Sequence, residues 1–318
     1  METEPVETSV RKAVGAMRLP VVVGVDGSEG SLRALDWAAA EAARSEHPLR
    51  VVHASLWERY EGMHPDSDSE RPTEKALAEH LVATARERAQ RLGPEVAVTA
   101  SVEPEDPVAT LVRESHEAAM VVLGSRGRGR IAGMLLGSVS LALAGRSHCP
   151  VVVIPARTPD TLPQSGRVVV GISDAAEPSA ATVFALAQAA SRHGELVAVR
   201  AWRRPAHHAV VHPLISGSPA SAHHRQAEEH LEEVLARLDR TGAPDVTIQR
   251  SVVQGPVHQE LIEAAKGAEL LVVGARRPSG WHGTHLGPVN HAMLHYAPCP
   301  VAVVPDAYHR PEPGPDTD

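Results

Sequence analysis

The residue types best suited to chemistry fall in one stretch, Gly124-Ser125-Arg126-Gly127-Arg128-Gly129-Arg130, followed shortly by Gly137-Ser138-Val139-Ser140. It begins where a short apolar run, Met120 to Leu123, ends. Glycines directly after a strand let backbone N–H groups approach a ligand closely. Gly137-Ser138 then opens a helix, whose free N–H groups and dipole favour an anion. The hydroxyls of Ser138 and Ser140 add donors, and Arg126, Arg128 and Arg130 add positive charge. Chemically this is a phosphate cradle, although no Gly-Lys-Ser/Thr follows as in a Walker A loop. A flexible Gly/Arg surface loop has the same composition. Asp26, just past another apolar run that ends at Gly24, has a carboxylate placed to accept a ribose hydroxyl. The same Asp-Gly dipeptide is also a turn signal.

Other candidate groups are weaker. The chain has 19 histidines, and His291 and His295 have an i,i+4 spacing that can bind zinc. No cysteine or acid joins them or His282 and His285 at a convincing spacing, and Tyr296-Ala297-Pro298 ends the helix. His207, His208, His212, His223 and His224 lie in or beside a polar loop. Solvated histidines and no metal site are therefore expected. In Glu103-Pro104-Glu105-Asp106-Pro107, an N-cap at Asp106 explains the acids without catalysis. No Ser/His/Asp set appears, and neither of the two cysteines is followed by a second, so no catalytic residue is assigned.

The elements that must position these groups occur twice. Pro20-Val21-Val22-Val23-Gly24-Val25-Asp26-Gly27 returns as Arg167-Val168-Val169-Val170-Gly171-Ile172-Ser173-Asp174, and Val51 to Ala54 as Ala198 to Ala201. Met120 to Gly124 returns as Leu270 to Gly274, and Cys149 to Pro155 as Cys299 to Pro305. Four blocks in one order mean a duplicated domain. We expect tails at 1–18 and 307–318, domains at 19–156 and 167–306, and a linker at 157–166. Short β-branched runs at 20–25, 49–54, 95–102, 120–124 and 150–155 suit strands of a parallel sheet buried on both faces. Their counterparts lie at 167–172, 195–201, 244–252, 269–274 and 299–304. Helices are expected between them. Ser28 caps one, and a second carries Leu77, Leu81, Ala85 and Leu92 on its stripe after Thr73. Pro107 and Ser138 open two more. Residues 58–71 and 203–222 read as long loops. Alternating strands and helices imply a parallel, doubly wound α/β sheet with right-handed crossovers.

The spacing Gly124-x2-Gly127-x9-Gly137-Ser138 resembles the ATP-binding signature of the universal stress protein family. The likeness extends to the opening Val-Val-Gly-Val-Asp-Gly-Ser block, the strand ending His53-Ala54 and the Cys-Pro-Val-Val-Val strand, and covers most of residues 19–306. It is the tandem form common in actinobacteria that the chain resembles. The resemblance implies two tandem five-stranded, Rossmann-like domains of the adenine nucleotide alpha hydrolase type, related by a pseudo-twofold. It implies a stress-response regulator holding ATP, with Mg2+ as an optional companion ion. Gly24, Asp26 and Ala54 would meet the adenosine. Gly124, Gly127, Gly137, Ser138, Val139 and Ser140 would meet the phosphates, with Arg126 and Arg130 beside them. The resemblance further suggests that the final strands of the two copies pair antiparallel, which would separate Cys149 from Cys299 by about 20 Å over six residues, too far for a disulfide. Two free, mostly buried thiols are expected.

The second copy departs from this pattern. Asp26 becomes Ser173, Gly127 becomes Arg277, Gly137-Ser138 becomes Gly287-Pro288 and Ser140 becomes Asn290. Pro288 lacks a backbone donor at the helix start. A lost or much weakened second site is expected, unless Arg277 supplies a substitute contact.

Composition bounds the rest. The chain has 318 residues, 43% of them hydrophobic and only 3% aromatic, so Ala, Val and Leu must build the core. A formal net charge of -8 argues against electrostatic nucleic-acid binding, and no aromatics interleave with the arginines. No apolar run approaches the length of about 20 residues that spans a membrane. Glu2, Glu4 and Glu7 stand where a signal peptide would be basic, so a cytoplasmic protein is expected. The cradle segment has no lysine, and no metal-binding acid set or water activator is evident, which favours a nucleotide sensor over fast turnover. A slow ATPase or phosphotransferase using Asp26 and a divalent ion, and a ligand-free adaptor, are the competing readings. An unidentified protein partner is expected, and a homodimer of the tandem chain stays open.

Overall fold

The computed structural model describes residues 18–56, 74–127, 136–156, 165–203, 219–275 and 286–308. Two compact units divide at Ala156–Arg157. The first contains β1 (Val21–Gly24), α1 (Glu29–Ser45), β2 (Leu49–Ala54), α2 (Glu74–Leu92), β3 (Val98–Glu103), α3 (Pro107–Glu114), β4 (Met120–Gly124), α4 (Ser138–Arg146) and β5 (Val151–Ile154). Its strands lie in the order β3-β2-β1-β4-β5, every neighbouring pair parallel. The chain order reverses between β1 and β4. That is the switch point at which doubly wound sheets open a crevice beyond their strand ends.

The second unit repeats the plan with β6 (Val168–Gly171), α5 (Ala180–Ser191), β7 (Glu195–Trp202), α6 (Pro219–Ala236), β8 (Thr247–Gln254), α7 (Val257–Ala264), β9 (Leu270–Ala275), α8 (Pro288–Tyr296) and β10 (Val301–Pro305). Its order is β8-β7-β6-β9-β10, again all parallel. Two tandem doubly wound, parallel five-stranded sheets are thus present, as the repeats predict.

Valine carries the core. Val21, Val22, Val23, Val121, Val122 and their counterparts Val168 to Val170 are fully buried, as β-branched residues of central strands covered on both faces should be. In the first unit α1 packs on α2, and α3 on α4. The α2 stripe differs from the expected one. Ala78, Val82, Ala85 and Ala89 are buried, whereas Leu77 and Leu92 are more than half exposed. Small side chains face inward because α2 packs against α1 as well as β2 and β3, and Ala permits that approach.

Three boundaries also move. β3 starts at Val98 because residues 93–96 form a turn, with the Val96 N–H donating to the Gly93 carbonyl at 3.0 Å. β8 starts at Thr247 because a similar turn joins Val246 to Ala243. Residues 219–222, read as loop, belong to α6, where Pro219 takes a first-turn position. Arg128, Arg130, Arg277, His207, His208, His212, His282, His285, Thr73, the 58–71 loop and most of both tails and the linker lie outside the described residues.

Candidate functional site

The site of the first unit is assembled where β1 and β4 end. Ser28 is the N-cap of α1, its Oγ accepting from the Ser31 N–H at 3.2 Å. This brings the first turn of α1 across the end of β4 in backbone contact. A Cβ on Gly124 would stand 2.5 Å from the Gly30 carbonyl oxygen, and one on Gly30 would stand 2.6 Å from the Arg126 carbonyl oxygen. Only paired glycines allow two main chains to pass so closely. Gly24 lies at the foot of the same crevice, against Leu123 and Leu111.

Asp26 is half-buried beyond β1. Its Oδ1 accepts from the Ser28 N–H at 3.0 Å, and its own N–H donates to Ser31 Oγ at 3.3 Å. The turn reading of Asp-Gly therefore holds, and it aims the carboxylate. A Cβ on Gly127 would come 2.4 Å from Asp26 Oδ2, so the carboxylate faces the bare backbone of the glycine loop. Arg126 and Gly127 are exposed.

On the other side, β2 ends at Ala54, half-buried. The preceding His53 is buried, and its Nδ1 lies 2.7 Å from the Val25 carbonyl. A carbonyl only accepts, so the proton sits on Nδ1 and the tautomer is set. With the Val25 N–H donating to Val52 O at 2.9 Å, both main-chain groups leading into Asp26 are pinned.

The floor of the cradle is the N-terminus of α4. Gly137 is its N-cap, without a side-chain capping bond. The Gly137 N–H donates to Ser125 O at 2.7 Å, which docks the helix start on the glycine loop. Ser138 is exposed and Val139 half-buried. Their N–H groups belong to the first turn, where an α-helix supplies no internal acceptor. Ser140 also has a partner within the fold. Its hydroxyl is buried and donates to the Gly124 carbonyl at 2.9 Å, so this proton holds β4 to α4.

The second unit keeps that bond by other means. Asn290 Nδ2 donates to the Gly274 carbonyl at 2.9 Å. The change from Ser140 to Asn290, read above as lost ligand chemistry, preserves a structural hydrogen bond. Elsewhere the corner is rebuilt. Arg200 stands where His53 does and also reaches the carbonyl at the end of its first strand, Ile172 O, at 3.2 Å. Its other terminal nitrogen pairs with Asp174 at 2.5 Å. His230 reaches Ser173 O at 2.9 Å. The α5 N-cap, Ser179, comes eight residues after Gly171, against four from Gly24 to Ser28. Ala181 holds that turn away, its Cβ an ordinary 3.7 Å from where a Cβ on Gly274 would lie. Pro288 occupies the first turn of α8.

The acidic run is structural. Asp106 caps α3, its Oδ1 accepting from the Val108 and Ala109 N–H groups, both at 3.0 Å. Glu105 pairs with Arg113, and Glu103 lies 3.7 Å from Arg50 and 3.5 Å from Arg113.

Together these features define a duplicated doubly wound α/β protein whose first unit brings Asp26, Gly124, Gly127 and the start of α4 together at the switch point. The profile of the universal stress protein family matches residues 17–155 and again residues 165–305. The chain belongs to that family, in tandem form. It is 38% identical over 303 residues to universal stress protein Rv2005c of Mycobacterium tuberculosis, covering 89% of this chain and 96% of that protein. With universal stress protein Rv1996 of the same organism it shares 34% over 305 residues, covering 90% and 94%. Among solved structures, a universal stress protein from Archaeoglobus fulgidus aligns with a TM-score of 0.63 at 17% identity, over 91% of this chain and 99% of that one.

Proposed function

We propose that the first unit binds an adenine nucleotide, ATP in the first instance, and that the chain is a nucleotide-dependent regulator of the stress response in the cytoplasm. The observation that carries this reading is the close approach of the Asp26 carboxylate to the Gly127 backbone. A half-buried carboxylate held by a turn faces a main chain that has no room for a side chain, with the uncapped start of α4 alongside. A carboxylate on one side suits ribose hydroxyls, and free N–H groups on the other suit phosphate oxygens. The backbone at Ala54 would border the adenosine. Mg2+ would enter with the nucleotide, bound mainly by phosphate oxygens and water, as that ion prefers. Arg126 is exposed at the rim, where its charge would add to the attraction for phosphate.

The segment from Gly124 to Ser140 contains no lysine, which favours retention of the nucleotide over its rapid cleavage. On this reading the bound nucleotide changes what an unidentified protein partner meets. Calorimetry with ATP tests the assignment. Gly127→Arg should weaken binding at least about tenfold, since its side chain displaces the Asp26 carboxylate, while thermal unfolding stays close to that of the parent because the position is exposed. Unaltered affinity would mean that the cradle is misassigned.

A further inference from the structure

Outside the nucleotide cradle, a pair of histidines on α8 is brought into ring contact. His291 and His295 are one turn apart, with ring centroids 4.4 Å apart and planes at 34°. His291 is exposed and His295 half-buried. The helix that carries them, PVNHAMLHY, holds no acid, so no carboxylate on it competes for the rings. Met293 and Leu294, between them, are buried in the second unit, which fixes the rotation of the helix and presents both imidazoles on its outer side. A neutral imidazole offers the lone pair that a metal needs.

We propose that His291 and His295 form a two-imidazole site for a borderline divalent cation, Zn2+ or, more tightly, Cu2+. Two histidines spaced i,i+4 on one helix face are a recurrent zinc-ligand geometry. With Zn–N bonds of about 2.0–2.1 Å and tetrahedral angles, the two ring centroids would stand roughly 5 Å apart. The observed 4.4 Å reaches that by a small outward movement of the exposed His291 ring. Water fills the remaining positions. Imidazole ligands favour Cu2+ over Zn2+ by the general order of divalent affinities. Once the first ring holds the ion, the second binds intramolecularly, so the pair outperforms isolated surface histidines.

The test is carbethoxylation of histidines in the full chain, read peptide by peptide with and without Zn2+. His291 and His295 should be protected together at Zn2+ levels where exposed His80, which has no histidine one turn away, still reacts. In His291→Ala, protection of His295 should require at least about tenfold more Zn2+. The double variant His291→Ala/His295→Ala should bind one equivalent less in a Zn2+ titration. Alanine favours an exposed helix, so both variants should fold, which circular dichroism checks. Equal reaction rates with and without Zn2+, protection of His295 that survives His291→Ala, or an unchanged equivalence in the double variant would each overturn the proposal.

Discussion

Single side chains in this protein are committed more narrowly than their types suggest. Asp26 both closes a turn and faces a glycine loop, and His53 spends its proton on the carbonyl that leads into Asp26. The two cysteines illustrate the inert extreme. Cys149 and Cys299 are free and buried, and desolvation pushes each thiol up to about 12. Only the thiolate is nucleophilic, so neither should react with a disulfide reagent at pH 8 in the native chain. Both should react at once in denaturant without reductant. A folded pKa above the unfolded value means that the native state holds the proton more tightly. The stabilisation is fully present below pH 9 and is lost as pH rises toward 12. Chemical denaturation between those limits should therefore show falling stability, and Cys149→Ala/Cys299→Ala should flatten the fall. A slope that is unchanged in the double variant would assign the alkaline loss to other groups.

The way α4 docks explains which polar residues at the site belong to the fold. Ser140 and Asn290 each stand 16 residues after a glycine, the last residue of β4 or the last but one of β9, and donate to its carbonyl at the same 2.9 Å. Two different side chains making one bond in two units mark it as a docking contact. Ser140→Ala strands a buried carbonyl and should cost about 1–3 kcal/mol of stability, whereas Ser140→Asn should restore most of it. Were the hydroxyl a phosphate ligand instead, affinity would fall in Ser140→Ala at unchanged stability. Strand positions were legible because β-branched runs buried on both faces leave few alternatives, and the Ser28 and Asp106 caps because their chemistry is local. The inward stripe of α2 was not, since Leu77 and Ala78 compete one residue apart and only tertiary packing chooses the smaller. Nor could spacing reveal that Arg200 and His53 aim at equivalent carbonyls, because that depends on which strand ends lie side by side. The glycines beyond β4 were legible as a pattern, while the bond from Ser140 to the Gly124 carbonyl required the geometry.

Taken as a whole molecule, the chain has two copies of one sheet, and among the described residues their strand-end corners are built differently. In the first unit the Gly30–Gly124 contact, the close approach of Asp26 to Gly127 and the uncapped α4 converge. In the second, an ion pair between Arg200 and Asp174 occupies the matching corner, with the Arg200 side chain only 16% exposed. A nucleotide there would have to displace a largely desolvated guanidinium from its carboxylate. It would also meet Pro288, which lacks the first-turn N–H. One hydrogen bond to a charged group contributes about 1.5–3 kcal/mol, so the proline alone should weaken phosphate binding by roughly 10- to 150-fold. We therefore expect calorimetry to give one ATP per chain, with Gly127→Arg leaving no site of comparable affinity. Native mass spectrometry of the same samples should show the parent with one bound nucleotide, and the variant with none at concentrations that saturate the parent. Two nucleotides of equal affinity per chain would contradict the asymmetry, and with it the view that duplication kept the scaffold of the second unit while freeing its crevice from nucleotide.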